Sequence, residues 1–203
     1  PLSGWNSAFT GISYSEVGFV VAGGGGGGGH LLVAHYAFDD SGNLGQDSSG
    51  NGHQINGGSS WGQPGHEFTS DAIAGPGAVE FYGFSSLAPP TPLLSALAGS
   101  FTVSAWIKTY QSEGSDDAWG PYHPAVVSAF TSSDEDCVIP IALTGDKAAF
   151  YNGGEDFADD TLHSSTSVNG GYYTHIAVTR DQTTGEKRLY VDGVLEASSF
   201  SHT

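Results

Sequence analysis

Methionine is absent from this 203-residue chain, cysteine occurs once, and lysine and arginine together number only five. The lone Cys137 excludes an internal disulfide framework, so no covalent staple holds the fold. It stands in the apolar run CVIPIAL, where a buried small hydrophobe is expected, not a nucleophile. Twenty-two acidic residues against five basic ones leave a net charge of −17. Such a field repels phosphate backbones and anionic lipid, which argues against nucleic-acid and membrane partners and favours divalent cations. No apolar run approaches about 18 residues, so no membrane-spanning helix is expected. The missing methionine is expected of a processed or dissected fragment, and no secretory leader is visible.

Catalytic signatures are also lacking. There is no G-x-S-x-G elbow, no His-x-x-x-His spacing, and no E-x-D-x-x-E strand that would set two carboxylates on one face for glycoside cleavage. The seven glycines from Gly23 to Gly29 lack the Lys-Ser/Thr of a phosphate loop.

What the chain does have is material for many short strands. Apolar residues make up 38% of it, with 11 Phe, 9 Tyr and 4 Trp, and 31 Gly and 9 Pro supply turns. A chain of this length can bury about two-thirds or more of its unfolded surface, so one sandwich without staples is feasible. Strands are expected over 31–38, 78–84, 124–130, 138–143, 147–151 and 173–179. From Phe101 to Lys108, apolar and polar residues alternate with period two, apart from Trp106, which puts an aromatic on the polar side and predicts cover on both faces. Asp192-Gly193 between Arg188–Val191 and Val194–Ala197 is a two-residue hairpin signal. A single short helix is expected over 92–98. The glycine run reads as a flexible connector of about 13–16 Å root-mean-square span, natural or engineered.

The segments LVAHYAFDD, DSSGNGHQING, AVEF, SFTVSAWIKT, YYTHIAVTRD and RLYVDGVLEAS follow one another over most of residues 31–200. Together they resemble the laminin-G-like, concanavalin A-like lectin superfamily. The resemblance implies an all-β, two-sheet antiparallel jelly-roll sandwich forming one domain over 1–203. Residues 1–22 would be a closing strand segment, 23–29 a linker and 30–203 the main body. Tyr173 and His175 stand in the family's aromatic-x-His-apolar-Ala strand, and the histidine reads as structural. The family's last strand, F-x-G-x-I-D-E-V, is matched by FTGISYSEV, which precedes the first strand and has Ser15 in place of the usual Asp, with one extra residue before it. That order resembles a circular permutation through an engineered oligo-Gly linker. Acidity and the lone cysteine are similar to the split laminin-G-like domain of bacterial RTX adhesins. This second resemblance implies a secreted or cell-surface address and an adjacent or inserted sugar-binding domain as partner.

Two groups of residues are candidates for chemistry. Asp39, Asp40, Asp47 and Asn51, with Glu16 from the closing strand, offer the hard oxygens that Ca2+ takes from flexible loops, and the resemblance adds to this expectation. Asp47 and Asn51 equally suit Asx turns that cap the loop. Asp117, Trp119, Tyr122, Asp156 and Phe157 lie in two acidic, aromatic loops of the kind that meet glycans, or that are simply solvated. The expected function is a non-catalytic, calcium-stabilised adhesion module that binds a glycan or another surface polymer. The alternative is a scaffold that positions an inserted sugar-binding domain and binds nothing itself.

Overall fold

The computed structural model describes residues 12–22, 30–59, 65–82, 85–88, 93, 97–112, 125–130, 137–152 and 161–200. It is an all-β, antiparallel sandwich, as expected. The strands are β1 (Ile12–Ala22), β2 (His30–Tyr36), β3 (Asn56–Ser59), β4 (His66–Thr69), β5 (Ala78–Phe81), β6 (Ser85–Ala88) and β7 (Phe101–Thr109). They continue as β8 (Ala125–Phe130), β9 (Cys137–Thr144), β10 (Lys147–Asn152), β11 (Leu162–Ser167), β12 (Thr174–Arg180), β13 (Glu186–Val191) and β14 (Val194–Phe200). One sheet runs β14-β13-β12-β7-β1-β5-β4, with β2 also on β1. The second runs β11-β10-β9-β8, and β3 and β6 form a small ribbon. Of the expected helix over 92–98, only Leu93, Leu97 and Ala98 are described, and both leucines are buried in the core.

Period-two alternation builds the sandwich. In β7, Phe101, Val103, Ala105 and Ile107 are buried while Thr102, Ser104, Trp106 and Lys108 are half-exposed on the other face. The inward residues of β7 meet Ile176 and Val178 of β12, Leu189 and Val191 of β13, and Ile141, Leu143, Ala148 and Phe150 of the second sheet in one cluster. Lys187 is also fully buried, its ammonium 5.9 Å from the centre of the Phe150 ring, where the aromatic face attracts a cation. Glu196 of β14 ties the two sheets together by accepting hydrogen bonds from Ser165 and from the Thr166 N–H and hydroxyl of β11. Burial alone would raise its carboxyl, but the bonds from Thr166 and Ser165 outweigh that and hold it below the usual carboxylate range.

β1 is hydrogen-bonded on both edges. β7 pairs with it along one side from Ile12 to Val21. The other side is divided between β5, which takes Ile12–Tyr14, and β2, which takes Val17–Ala22. Where β5 gives way to β2, the register with β7 slips between Tyr14 and Glu16, leaving Ser15 as the extra residue of a bulge. Its buried Oγ accepts from the N–H groups of Ile73 and Ala74 (3.2 and 3.3 Å) and donates to the Ala74 carbonyl (3.3 Å). One hydroxyl thus satisfies a loop end that would otherwise be orphaned. Ser15→Ala is expected to cost about 0.5–1.5 kcal/mol, the net worth of a hydrogen bond at a part-buried site. A urea titration with an unchanged midpoint would remove Ser15 from this role.

Candidate functional site

The outer face of the eight-stranded sheet carries the best-formed site among the described residues. Antiparallel register sets Trp106 of β7 directly opposite His175 of β12, and their rings lie 5.0 Å apart at 55°. Trp106 therefore keeps the phase of its strand, and its aromatic cover comes from a neighbouring strand on the same face. The Asp192-Gly193 turn closes one end. Both residues have positive φ (48° and 79°), the left-handed geometry of the expected two-residue hairpin. Asp192 Oδ1 accepts from the His175 N–H at 2.9 Å, which fixes the turn against the platform.

On the other side of Trp106 and His175 lies a hollow of ≈ 250 Å³, lined also by Gly18, Leu32, His35 and Ser104. Its floor is low because Gly18 pairs with Ser104 and His35 pairs with Gly18, so two small residues sit between larger walls. The wall from β2 depends on a second bulge. Phe19 pairs with Ala34 and Val20 with Leu32, so Val33 is the extra residue, and Leu32 and His35 both turn outward.

The loop 47–53 holds that bulge. Asp47 Oδ1 accepts from the N–H of His35 (3.1 Å) and of Ser49 (2.9 Å), and Oδ2 accepts from the N–H of His53 (2.9 Å). Asn51 Nδ2 donates to the carbonyls of Leu32 (2.8 Å) and Val33 (3.0 Å), and Ser49 Oγ donates to the Val33 carbonyl (3.3 Å). This is the Asx-turn arrangement, extended into a clasp. Burial would raise the Asp47 carboxyl, but the Ser49 hydroxyl and the three N–H groups outweigh it and bring it from 3.8 to about 2. Beside it, Tyr36 donates to the His53 carbonyl at 2.6 Å, and burial, then the Asp47 charge, pushes its phenol upward.

The calcium candidates do not converge. Asp47 already holds three N–H groups, which leaves little lone-pair capacity for a cation, and Asn51 turns its Nδ2 to the carbonyls of β2. Asp40 Oδ1 accepts from the Gly42 N–H (2.8 Å). The Asp39 carboxylate lies against Gly75 (φ 69°), where a Cβ would come within 2.2 Å of it. Glu16 is placed by its backbone alone, opposite Trp106. Among the described residues, no group of three or more His, Cys, Asp or Glu side chains is placed to hold a metal ion. The five glycan candidates Asp117, Trp119, Tyr122, Asp156 and Phe157 lie outside the described residues. Sequence reasoning passed over the Trp106–His175 platform. The available signal was an aromatic on the polar phase of β7 and a histidine on the polar phase of the strand that pairs with it.

Two outcomes follow. Asp47→Ala should cost about 1–3 kcal/mol by orphaning N–H groups at the bulge, and thermal melts should show the same loss in chelator and in millimolar calcium. The folded pKa of Asp47 is depressed, so its contribution is full above about pH 4 and fades as pH falls through about 2. The gap between wild type and Asp47→Ala should therefore close over that window. At Gly18, a built Cβ meets only Ser104 Oγ, at 3.6 Å, an ordinary contact. Gly18→Val should keep or raise the melting temperature, because glycine weakens a strand, while filling the hollow. A fall of several degrees would mean that the glycine serves the fold.

Comparison with known proteins bears on the sheets that build this face. The sequence profile Laminin_G_3, described as the concanavalin A-like lectin/glucanases superfamily, matches residues 83–203, from the segment that holds β6 through β14. Trp106, His175 and the Asp192-Gly193 turn fall inside the match, and β1 to β5 precede it. No curated protein and no solved structure gives a match. By that match over more than half of its length, the chain belongs to the concanavalin A-like lectin/glucanase superfamily.

Proposed function

We propose that this domain is a non-catalytic carbohydrate-binding module that seats a neutral glycan on the outer face of its eight-stranded sheet. The observation that carries the reading is the Trp106–His175 platform with a hollow on either side: one toward Gly18 and His35, the other toward Asp192 and Gly193. Sugar rings offer C–H faces to an aromatic plane and hydroxyls to nearby polar groups, and a pocket with a few convergent polar groups suits both. A net charge of −17 disfavours anionic polymers at long range.

The wider setting belongs to the same proposal: a secreted or bacterial cell-surface adhesin, with an adjacent or inserted sugar-binding domain as partner. A circular order belongs to the same proposal, in which β1, paired directly with β2 with Ala22 opposite His30, is the closing strand. Calcium is carried only as a proposal for the whole domain, since the described candidates do not form one site.

One observation favours a second reading, that of a hydrolase. Glu67 of β4 lies directly opposite Glu80 of β5, and Tyr82 donates a hydrogen bond to Glu67 Oε1 at 2.6 Å. Directly opposed side chains on an antiparallel pair stand about 5 Å apart at Cβ, and paired carboxylates of this kind are what glycoside cleavage uses. This pair stands toward the β4 edge and, among the described residues, lines none of the hollows described above.

The test is affinity electrophoresis in gels containing neutral polysaccharides (glucan, mannan, xylan), paired with reducing-end assays. Wild type should be retarded by at least one of them, and Trp106→Ala should lose the retardation while its melt stays cooperative. No reducing ends should appear. Release of reducing ends that stops in Glu80→Gln would establish the hydrolase, and retardation by none of the polymers would leave the scaffold role.

A further inference from the structure

Apart from the hollow toward Asp192 and Gly193, a second one, of ≈ 470 Å³, adjoins the Gly18–His35 hollow further along the same face. It shares Thr102 with the first, and the two meet there. The register explains the continuity. Gly18 pairs with Ser104, Thr102 with Thr179, and Thr179 with Arg188, so a floor of small side chains runs from the Trp106–His175 platform to the β12–β13 turn. Along β7 alone, Thr102 to Trp106 spans about 13 Å at the rise of a strand.

The far end is built, not merely open. Glu186 grips Arg188 through three contacts of 2.8–2.9 Å, which fixes the guanidinium on the face. Asp181 Oδ1 accepts from the N–H groups of Thr183 and Thr184 (2.8 and 3.3 Å), and Ser100 Oγ accepts from the Gln182 N–H (2.9 Å). The charges cancel within the hollow: Arg180 and Arg188 face Asp181 and Glu186. In a chain of net −17 with five basic residues, two of them gathered here make this hollow locally neutral. The rest of the lining is rich in hydroxyls, from Ser100, Thr102, Thr179, Thr183 and Tyr190. An anion would meet two carboxylates and a cation two guanidiniums. A neutral polyhydroxylated chain meets donors and acceptors throughout, with Tyr190 as an aromatic edge.

We infer that this hollow is a second sugar subsite, and that the two hollows form one track for an extended, neutral polysaccharide several units long. The inference rests on the reading of the Trp106–His175 platform as a glycan site and specifies what that site takes. The subsites act on one ligand, so occupying the second adds to the first without a second loss of translational freedom.

The experiment is isothermal titration with neutral gluco-, manno- and xylo-oligosaccharides of two and six units. Wild type, Trp106→Ala, Thr179→Trp, which plugs the second hollow, and Arg188→Gln are compared, with melts recorded for each. The hexamer of the preferred series should bind at least about tenfold more tightly than the dimer, or about 1.4 kcal/mol. Thr179→Trp should bring the hexamer down to dimer affinity. Arg188→Gln, a milder change that serves should Thr179→Trp not fold, should weaken the hexamer several-fold. Equal affinity for both lengths, or a hexamer indifferent to both second-hollow variants while Trp106→Ala abolishes binding, would overturn the track and leave the platform standing. Tighter binding of an alginate oligomer than of any neutral one would overturn the neutral-chain assignment. Binding of no oligomer by wild type would take down the platform reading and the track with it.

Discussion

The sandwich turns on the antiparallel pairing of β1 with β7, which joins the first described strand to the middle of the chain. β1 alone links the group β14-β13-β12-β7 to the group β5-β4, and it also carries β2. Every side chain of the outer face takes its position relative to this seam. Because one strand must serve β5 at one end and β2 at the other, the ladder has to change partners partway along. The bulge at Ser15 sits at that change. There the buried Ser15 hydroxyl, which both donates and accepts, ties the bulge to the loop end at Ile73 and Ala74. An aspartate there could only accept, and it would bring a charge into a nearly fully buried position.

The same logic governs the second bulge, at Val33. An extra residue leaves carbonyls without ladder partners, and Asn51 and Ser49 supply the missing donors from a loop more than a dozen residues away in sequence. Asp47 supplies the matching acceptor for the His35 N–H. The loop therefore behaves as a substitute strand of side chains, and through the bulge it sets where Leu32 and His35 stand in the wall of the first hollow. Asp47 and Asn51, which look like cation ligands in the sequence, here hold the β2 bulge and so position one wall of the first hollow.

Much of the fold was legible because burial on one face imposes period two. β7 and β12 bury one side only, and their alternation appears directly in FTVSAWIKT and THIAVTR, whereas β13, EKRLYV, buries Lys187 in its inward row and was marked by the Asp192-Gly193 hairpin turn instead. β11, LHSSTS, escaped because its inward positions include Ser164, whose hydroxyl bonds to backbone where an apolar side chain would have advertised a strand. β3, β4 and β6 are four residues each, too short to show any period. The candidate site was less legible for a different reason. Oxygen-rich loop composition serves equally for a cation and for backbone N–H groups, and only the partners decide between them. The Trp106–His175 pair is the reverse case. Neither residue is unusual in its own strand, and their meaning arises from a register that no local pattern encodes.

That register also explains how one face can be both stable and receptive. The inner face gains its stability from large apolar side chains in close contact, so the outer face can keep small residues at Gly18, Ser104, Ala177, Thr102 and Thr179 at modest cost. A strand with glycine on an exposed row loses some ladder stability, and this loss falls on the strand best supported by neighbours on both sides. The hollow is thus located where the sheet can most readily sustain it. Selectivity then divides by range. On the proposed track, the net negative charge would disfavour polyanions over a Debye length, whereas the cancelled charges and hydroxyls would act at contact and favour ligands that present many weak donors and acceptors. A polymer satisfies that requirement better than a monomer, because each subsite is shallow and affinity must be gathered along the face.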